Sequence, residues 1–393
     1  MIVLALFAGI LWNLFAGLLY CWSVFIEPLE EALGVPRTSV STVFSVGIAC
    51  YAAGMFIAPH LLARFPLPRL AAGLGIVAGA GLLIAGLGGS LAALIGGFGI
   101  VFGLSIGAGY ALALQAASSE LPVRRSLAIG LTVTAFAGAA LLWPKPLSLL
   151  IEATGPFTTL MLYGGAMAGM GLVIALLLGL SGAQAPAAED AEATQVFRGF
   201  FTEQPRVFVL ICLIFMFLAM GGLMALSHAA GITGESGIPA DQVYLGPMLT
   251  SIGYIVACLF AGPLTDWLSG RRVLIGLATV MAASLLALFL FPSAWLSLVT
   301  LALVGGSFGA TAAVYPVTIA SYYSVSEMAR IYGRVTLVLG AGGVAGPIMA
   351  GALYDWEGSY HLSLLIGTGF AATAIAAGLA LPRQDRKATL QGD

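Results

Sequence analysis

The segment GAQAPAAEDAEATQVFRGFFTEQPR, residues 182–206, is the only sustained polar stretch in the middle of an otherwise apolar chain. Hydrophobic residues make up 60% of the 393 residues and charged residues only 8%, whereas a soluble protein carries about 25% charged residues. Such a surface cannot face water over most of its area, so we expect a membrane protein. The polar segment divides this protein into two halves of nearly equal length.

Each half contains six apolar runs long enough to cross a bilayer. A helix needs about 20 apolar residues to span the ~30 Å hydrocarbon core, and runs this long are not barrel strands. The predicted spans are residues 2–26, 40–61, 68–88, 92–117, 127–151, 157–181, 206–229, 243–264, 273–292, 295–321, 335–354 and 361–381. We therefore predict an all-α membrane protein with twelve transmembrane helices in two pseudo-symmetric six-helix bundles. The predicted units are bundles at 1–182 and 205–382, a cytoplasmic linker at 183–204 and a cytoplasmic tail at 383–393.

The distribution of Lys and Arg predicts the orientation, because these residues concentrate on the cytoplasmic side of membrane proteins. With the N-terminus inside, 13 of the 15 basic residues fall on the cytoplasmic side, and only Arg37 and Lys145 fall outside. We expect a cell (inner) membrane protein with both termini in the cytoplasm. The net charge of −2 gives no indication of a nucleic-acid partner.

The two halves also resemble each other in sequence. A shift of 205 residues places GYALALQAASSELPVRRS over VYPVTIASYYSVSEMARI, with Tyr110 on Tyr315 and Arg125 on Arg330. Two landmarks at one offset, with six spans in each half, predict an internal repeat. Many transporters of this construction bind their substrate between the repeats, near the middle of the membrane.

The layout resembles that of the major facilitator superfamily. Within it, LLYCWSVFIEPLEEALG, GYALALQAASSELPVRRSLAIG and ARIYGRVTLVLGAGGVAGPIMAGALYDWEGSY resemble the oxalate/formate antiporter family and its monocarboxylate-transporter relatives. The resemblance covers essentially the whole chain. It implies transport by alternating access, through a cavity lined by the first, fourth, seventh and tenth spans.

The superfamily's inner-loop motif is present once, as GPLTDWLSGRR at 262–272. By this resemblance, Asp266 pairs with a nearby arginine such as Arg330 or Arg334 and holds the cytoplasmic side closed. The alternative is that Asp266 is a solvated loop charge. The matching loop of the first half, APHLLARFPLPR, holds no acid, so we expect one such latch on this side rather than two.

The sequence departs from the oxalate-type pattern at two positions. That pattern has an arginine in the eighth span and a lysine in the eleventh, and Cys258 and Leu339 fall at these positions here. A dianion held in a low-dielectric cavity without a cation would be very costly. We therefore exclude oxalate as the substrate, while a monocarboxylate remains possible.

Polar residues of the first span are candidates for lining the cavity. Asn13, Tyr20 and Glu27 are spaced by seven, which places them on one stripe of a regular α-helix that must face protein or water. The alternative is hydrogen bonding between helices without substrate contact. Trp22 lies on the other side of the helix and is expected to pack, although the family has an aromatic residue there.

Six further residues are candidate substrate contacts. The repeat-related Tyr110 and Tyr315 each offer a hydroxyl to a carboxylate or carbonyl oxygen and a ring to an apolar body; the alternative is aromatic packing. Gln115 is a candidate polar group of the inner cavity, and Phe308 falls on an aromatic position of the family. Tyr254 lies about one turn before Cys258, so the two can share a face, which makes Cys258 a candidate as well.

Three ionisable residues lie near the outer interface. Glu27, Lys145 and His228 are each about 20 residues from the cytoplasmic start of their spans, or ~30 Å along a helix. We predict that Glu27 with Lys145 or His228 forms an outer gate. His228 is the better proton switch because histidine titrates near neutral pH, and Lys145 is either an anion attractor or a snorkelling side chain.

These features predict a secondary active transporter, not an enzyme, which moves a monocarboxylate-like organic anion by alternating access. The alternative is a facilitator or exporter of a neutral, largely apolar metabolite. A receptor or intramembrane enzyme is disfavoured because no nucleophile–base pair or signalling domain is visible. The four cysteines lie in separate apolar runs, so we expect no metal or other cofactor. Expected partners are the bilayer, a small-molecule substrate and a counter-anion or proton, with a monomeric chain.

Overall fold

The computed structural model describes residues 4–120, 125–183, 204–323 and 325–383. These residues are almost entirely helical, and the long helices follow the predicted spans. We number the twelve long helices of these ranges in chain order. They are α1 Leu4–Val24, α2 Arg37–Arg64, α3 Leu67–Gly88, α4 Leu91–Ala117, α5 Arg125–Leu142, α6 Pro156–Ser181, α7 Pro205–Ser227, α8 Leu245–Trp267, α9 Gly270–Leu290, α10 Ala294–Tyr322, α11 Val325–Glu357 and α12 His361–Ala380.

Length and apolarity confirm the membrane prediction. Within the described ranges, ten helices are long and apolar enough to cross a bilayer, and a bent pair that begins in α5 makes eleven. This pair bends by 42° before the short helix Pro144–Thr154, as expected where proline removes a backbone donor. The protein is therefore an all-α, multi-pass membrane protein, and twelve helices in two bundles fit its architecture.

Two helices depart from regular α geometry. The part of α1 from Gly17 to Val24 is a 3₁₀ helix, and the part of α4 from Ile95 to Phe102 is a π-helix. Side chains rotate by about 120° per residue in a 3₁₀ helix rather than 100°. Asn13 and Tyr20 both contact α5, at Thr132 and Phe136, whereas Glu27, beyond the 3₁₀ segment, is exposed.

Each half is held together by close helix packing. In the first half α3 packs along α6, and in the second α8 packs along α10. Glycines allow the first contact: a Cβ built on Gly75 would lie 2.5 Å from the Cα of Gly171. Small residues at such crossings are the usual means of association between membrane helices, because lipid provides no hydrophobic driving force between them.

The two ends of the bundle are set by the chain path. We call the end where α6 finishes and α7 begins the linker end, and the opposite end the far end. By alternation, α2 and α8 start at the far end, whereas α7 and α11 finish there. The halves contact each other mainly through α2 with α11 and through α5 with α8.

Large apolar side chains cover the outside of the bundle. Leu87, Leu176, Phe260 and Leu379 are each at least 60% exposed. In water such a surface would drive aggregation. Around a bundle of this kind it is the surface that contacts lipid.

Candidate functional site

An arginine at the far end contacts both halves. Arg37, the first residue of α2, donates from Nε and Nη2 to the two carboxylate oxygens of Glu30, at 2.6 and 2.7 Å. Its Nη1 donates to the Tyr360 hydroxyl at 2.8 Å, and its guanidinium lies 3.7 Å from the ring centroid of Tyr354. Glu30 belongs to the first half and both tyrosines to the second. Arg37 is only 7% exposed, so its planar guanidinium group connects the two halves at a position shielded from water.

A carboxylate from the second half caps the start of α2. Asp355, in the last turn of α11, accepts from the backbone N–H groups of Arg37 and Thr38, both at 2.8 Å, and from the Thr38 hydroxyl. The residue before Arg37 is Pro36, which provides no side-chain cap. The first N–H groups of a helix have no partner within the helix and carry a partial positive charge, so they favour a carboxylate. Here that carboxylate comes from the opposite half.

His228 extends these contacts into the second half. It follows α7 directly and is fully buried. Its Nδ1 lies 2.9 Å from the Tyr360 hydroxyl, and its Nε2 lies 3.1 Å from the Pro347 carbonyl and 3.3 Å from the Ser41 hydroxyl of α2. We call the set Glu30, Arg37, Thr38, His228, Asp355 and Tyr360 the far-end latch.

Burial sets the protonation of the latch groups that lie outside the spans. It raises the pKa of the Tyr360 hydroxyl above its usual range and lowers the pKa of His228 to about 4. Burial also raises the pKa of Glu235, which accepts from the Tyr360 backbone N–H at 2.8 Å. Tyr360 is therefore a neutral hydroxyl, and His228 is a neutral imidazole at physiological pH.

Close backbone packing accompanies the latch. A Cβ added to Gly351 of α11 would lie 2.7 Å from the Ser41 hydroxyl and 2.9 Å from the Thr38 Cα. One turn further from the end, the Ser45 hydroxyl of α2 donates to the Val344 carbonyl of α11 at 2.9 Å. The crossing of α2 with α11 is closed at the far end.

A cluster of aromatic rings lies deeper in the bundle. Phe136 of α5 contacts Tyr20 of α1, Tyr51 of α2 and Tyr110 of α4, with ring centroids 5.0, 5.5 and 5.6 Å away. The three tyrosines are half-buried, whereas Phe136 is buried. Since Tyr51 is fourteen residues after Arg37, the cluster lies ~21 Å below the latch, near the middle of a bilayer.

The aromatic cluster continues across the contact between the halves. The Tyr20 ring is 6.4 Å from the ring of Tyr254 in α8, and Tyr254 is 5.9 Å from Phe308 in α10. Nearby, the Ser251 hydroxyl of α8 donates to the Ala137 carbonyl of α5. Tyr20, Tyr110, Tyr254 and Phe308 of the predicted site residues are thus brought together. Their identity as substrate contacts stays a prediction.

Tyr315 has a different environment from its repeat partner. Its side chain is fully buried, its hydroxyl donates to the Ile211 carbonyl of α7, and its ring centroid is 3.9 Å from that of Phe215. Tyr110, by contrast, is half-buried against Tyr51 and Phe136. In this conformation Tyr315 packs α10 on α7.

Three other predicted substrate contacts have varied surroundings. Asn13 is fully buried and donates from Nδ2 to the Thr132 carbonyl of α5 at 2.6 Å, which is the bonding between helices weighed as the alternative above. Gln115 is half-buried in α4. Cys258 is a half-buried thiol of α8, four residues after Tyr254.

The predicted gating residues are dispersed. Glu27 and Lys145 are exposed, and the Lys145 ammonium lies 5.5 Å from the ring centroid of Tyr244. His228 is buried in the far-end latch, where its partners are Tyr360, Pro347 and Ser41 rather than Glu27 or Lys145. The side chains of Asp266 and Arg330 lie outside the described part of the structure, so their pairing at the linker end stays a prediction.

Sequence reasoning missed two groups of residues. Arg37, Asp355 and Tyr360 lie at helix ends far apart in sequence, and only the charge of Arg37 on the sparsely charged side gave a signal. Tyr51 and Phe136 lie on the second and fifth spans, which the resemblance did not assign to the cavity.

Comparisons with known proteins agree with this architecture. The model of the Major Facilitator Superfamily matches residues 209–392. An uncharacterized MFS-type transporter of Escherichia coli (strain K12) is 26% identical over 360 residues, with 87% of this chain and 85% of the relative covered. The oxalate:formate antiporter of Oxalobacter formigenes is 23% identical, with 96% and 91% covered, and monocarboxylate transporter 13 of Bos taurus is 27% identical, with 93% and 85% covered.

Solved structures share the fold. A nucleoside transporter aligns with a TM-score of 0.75 at 15% identity, over 97% of this chain and 100% of that one. A bacterial homologue of the human lysosomal transporter Spinster, in an inward-facing and occupied conformation, aligns with a TM-score of 0.73 at 14% identity, over 96% of each chain. The twelve-helix architecture, the match of the family model to residues 209–392 and these relatives indicate a membrane transporter that is similar in fold and sequence to those of the major facilitator superfamily.

Proposed function

We propose that the protein moves a small, monocarboxylate-like organic anion across the cell membrane by alternating access. The aromatic cluster around Phe136 is the proposed binding site, and the far-end latch is the proposed gate on one side of it. In this proposal the linker end is cytoplasmic, the bundles comprise residues 1–182 and 205–382, and the structure represents a state closed at the far end.

The contact between Tyr20 and Tyr254 carries the proposal. It lies at the boundary between the halves, so any rocking of one half against the other changes the space between these rings. The tyrosines Tyr20, Tyr51 and Tyr110 carry hydroxyl donors suited to carboxylate oxygens, and their rings suit a small apolar body. The relatives named as monocarboxylate transporters and as an oxalate:formate antiporter support an organic anion.

A neutral substrate is the second candidate, and the composition of the proposed site favours it. The residues brought together there are Tyr20, Tyr51, Tyr110, Phe136, Tyr254 and Phe308. None of these side chains is a cation, and a carboxylate without a cation is costly at mid-membrane depth. An uncharged, largely apolar metabolite would meet no such cost.

Transport by purified protein in proteoliposomes tests the proposal. We expect uptake of labelled lactate or pyruvate, accelerated when the vesicles are preloaded with unlabelled monocarboxylate. Tyr20→Phe and Tyr110→Phe each remove one donor and retain the ring, so we expect each to raise KM about 10- to 150-fold, the range of a hydrogen bond to a charged group.

Tyr163→Phe is the matched control. Tyr163 of α6 donates its hydroxyl to the Phe15 carbonyl at 2.9 Å, and its ring contacts Phe15 and Trp143 instead of the aromatic cluster. Its KM should stay within twofold of the unmodified protein. If monocarboxylates are not taken up, and only uncharged compounds raise the Tm of the protein, the second candidate replaces the first.

A further inference from the structure

The hydrogen bonds around His228 fix which nitrogen carries its proton. The Pro347 carbonyl can only accept, so Nε2 is the protonated nitrogen that donates to it at 3.1 Å. Nδ1 is then an acceptor, and it takes the hydroxyl proton of Tyr360 at 2.9 Å. The Tyr360 oxygen in turn accepts from Arg37 Nη1 at 2.8 Å. With neutral His228, each donor in the series of hydrogen bonds from Arg37 through Tyr360 and His228 to the Pro347 carbonyl has an acceptor.

A second proton on His228 has no place in this arrangement. Nδ1 would become a donor and would turn toward a Tyr360 oxygen that already accepts from Arg37. The Tyr360 proton would lose its acceptor, and a buried unsatisfied polar group is costly. The new positive charge would also lie one side chain away from the Arg37 guanidinium.

The charged and titratable groups around His228 do not compensate for that charge. From the first half come Arg37 and Glu30, which bind each other in a bidentate pair. From the second half come Asp355, whose oxygens cap α2, and Tyr354 and Tyr360, which contact Arg37. Glu235 is directed to the Tyr360 backbone N–H. Each carboxylate therefore has a partner of its own.

We propose that His228 is a proton-binding site whose occupation releases the far-end latch. Neutral His228 accepts the Tyr360 hydroxyl and keeps the halves together, whereas the imidazolium requires separation of Tyr360 from Arg37 and entry of water. The proton thus binds more tightly to the state that is open at the far end. This rests on the proposed alternating-access function, in which the far end opens and closes.

The direction of the pH dependence follows from proton linkage. Burial lowers the pKa of His228 to about 4 in the closed state, and exposure on opening would return it toward about 6.5. The closed state is then at full stability above pH 6.5 and loses stability as the pH falls toward 4. One proton with these two pKa values increases the ratio of open to closed about 25-fold between pH 7.5 and 5.

Distance measurements between spin labels test this without any substrate. Exposed Glu31 and Asp241 lie at the far end of the first and second halves. In a variant whose four cysteines are replaced, Glu31→Cys and Asp241→Cys would carry the labels in nanodiscs. We expect a longer-distance population that grows between pH 7.5 and 5.

His228→Gln is the decisive variant. The glutamine carbonyl can accept from Tyr360 and its amide can donate to the Pro347 carbonyl, but it cannot take up a proton. We expect His228→Gln to keep the short distance between the labels, with an open population that changes less than twofold between pH 7.5 and 5. His361→Gln is the control, because His361 is also at the far end but packs on Phe289, with ring centroids 4.2 Å apart, and it should retain the full pH response.

Two results would overturn the proposal: no pH-dependent opening in the labelled protein with His228, or the same opening in His228→Gln. Failure of the proposed function is seen separately, as absence of uptake in proteoliposomes. If the protein opens at acidic pH through His228 but transports no monocarboxylate, the proposed proton site is supported and the proposed substrate is wrong.

Discussion

The carboxylate of Asp355 caps the helix that begins at Arg37, although the two residues belong to opposite halves of the transporter. One Asp355 oxygen accepts from the Arg37 N–H and the other from the Thr38 N–H. Opening of the far end would separate the cap from its helix and leave both to water. In the proposed alternating-access function, this contact stabilises only the state closed at the far end and is therefore part of the proposed gate.

Asp355→Asn should shift the protein toward the far-end-open state. The amide has one acceptor oxygen and no charge, so α2 loses part of its cap, which is worth about 1 kcal/mol in typical helices. We expect a three- to tenfold larger open population by the spin-label distance. Glu357→Gln is the control, because Glu357 accepts from the Leu362 N–H within the second half. Equal shifts in both variants would refute the role of Asp355.

A methyl group at Gly351 should hold the far end apart. The Cβ of Gly351→Ala would lie 2.7 Å from the Ser41 hydroxyl and 2.9 Å from the Thr38 Cα. Such overpacking destabilises the closed contact by about 1–3 kcal/mol. We expect faster modification of a far-end cysteine by an impermeant maleimide. Gly369→Ala meets open space on α12 and should label at the unmodified rate.

Arg37→Lys should weaken the latch although the charge is retained. An ammonium cannot reproduce the three directed contacts of the guanidinium with Glu30 and Tyr360. We expect a more populated open state at pH 7.5, again by spin-label distance. Arg271→Lys is a matched control, since Arg271 donates to the Gly378 and Leu379 carbonyls inside the second half. An unchanged distance between the labels in Arg37→Lys would contradict the proposed role of the guanidinium contacts in keeping the far end closed.

Tyr315→Phe should affect stability rather than substrate affinity. The variant leaves the buried Ile211 carbonyl without its hydroxyl donor, at a cost of about 1–3 kcal/mol, so its Tm should fall while KM stays within twofold. Tyr110→Phe should show the opposite pattern. A raised KM in Tyr315→Phe would return Tyr315 to the binding site.

Composition and spacing predicted the fold because a bilayer leaves few alternatives. Runs of about 20 apolar residues must be helices, since backbone groups in lipid have to bond within their own segment. The resemblance specified which spans line the centre, and Tyr20, Tyr110 and Phe308 lie on three of them. Tyr254, on the eighth span, was a candidate because it can share a face with Cys258.

Local backbone geometry limited the prediction of where individual side chains of the first span lie. The stripe of Asn13, Tyr20 and Glu27 assumed a regular α-helix, and the 3₁₀ segment Gly17–Val24 changes the angle between its residues. Asn13 and Tyr20 nevertheless contact the same neighbour, α5, whereas Glu27, beyond the segment, is exposed. No periodicity in a single sequence signals such a segment.

The latch could not be predicted because its partners are more than 300 residues apart in sequence. Arg37 binds groups at 355 and 360, and only the packing of α2 on α11 brings them together. The sparsity of basic residues at the far end identified Arg37 as unusual, but its partner could have been any acid on that side. Sequence reasoning chose Glu27, Lys145 and His228 because each lies about 20 residues from the cytoplasmic start of its predicted span, near the outer interface.

A disulfide across the latch tests the central claim, that the far end must open during transport. With the native cysteines replaced, Thr38→Cys and Asp355→Cys place two thiols where the Thr38 hydroxyl and the Asp355 carboxylate are in contact. After oxidation, with the cross-link verified by mass spectrometry, we expect uptake in proteoliposomes to fall below a tenth of its reduced value and to recover on reduction. Undiminished uptake by the fully cross-linked protein would contradict the account.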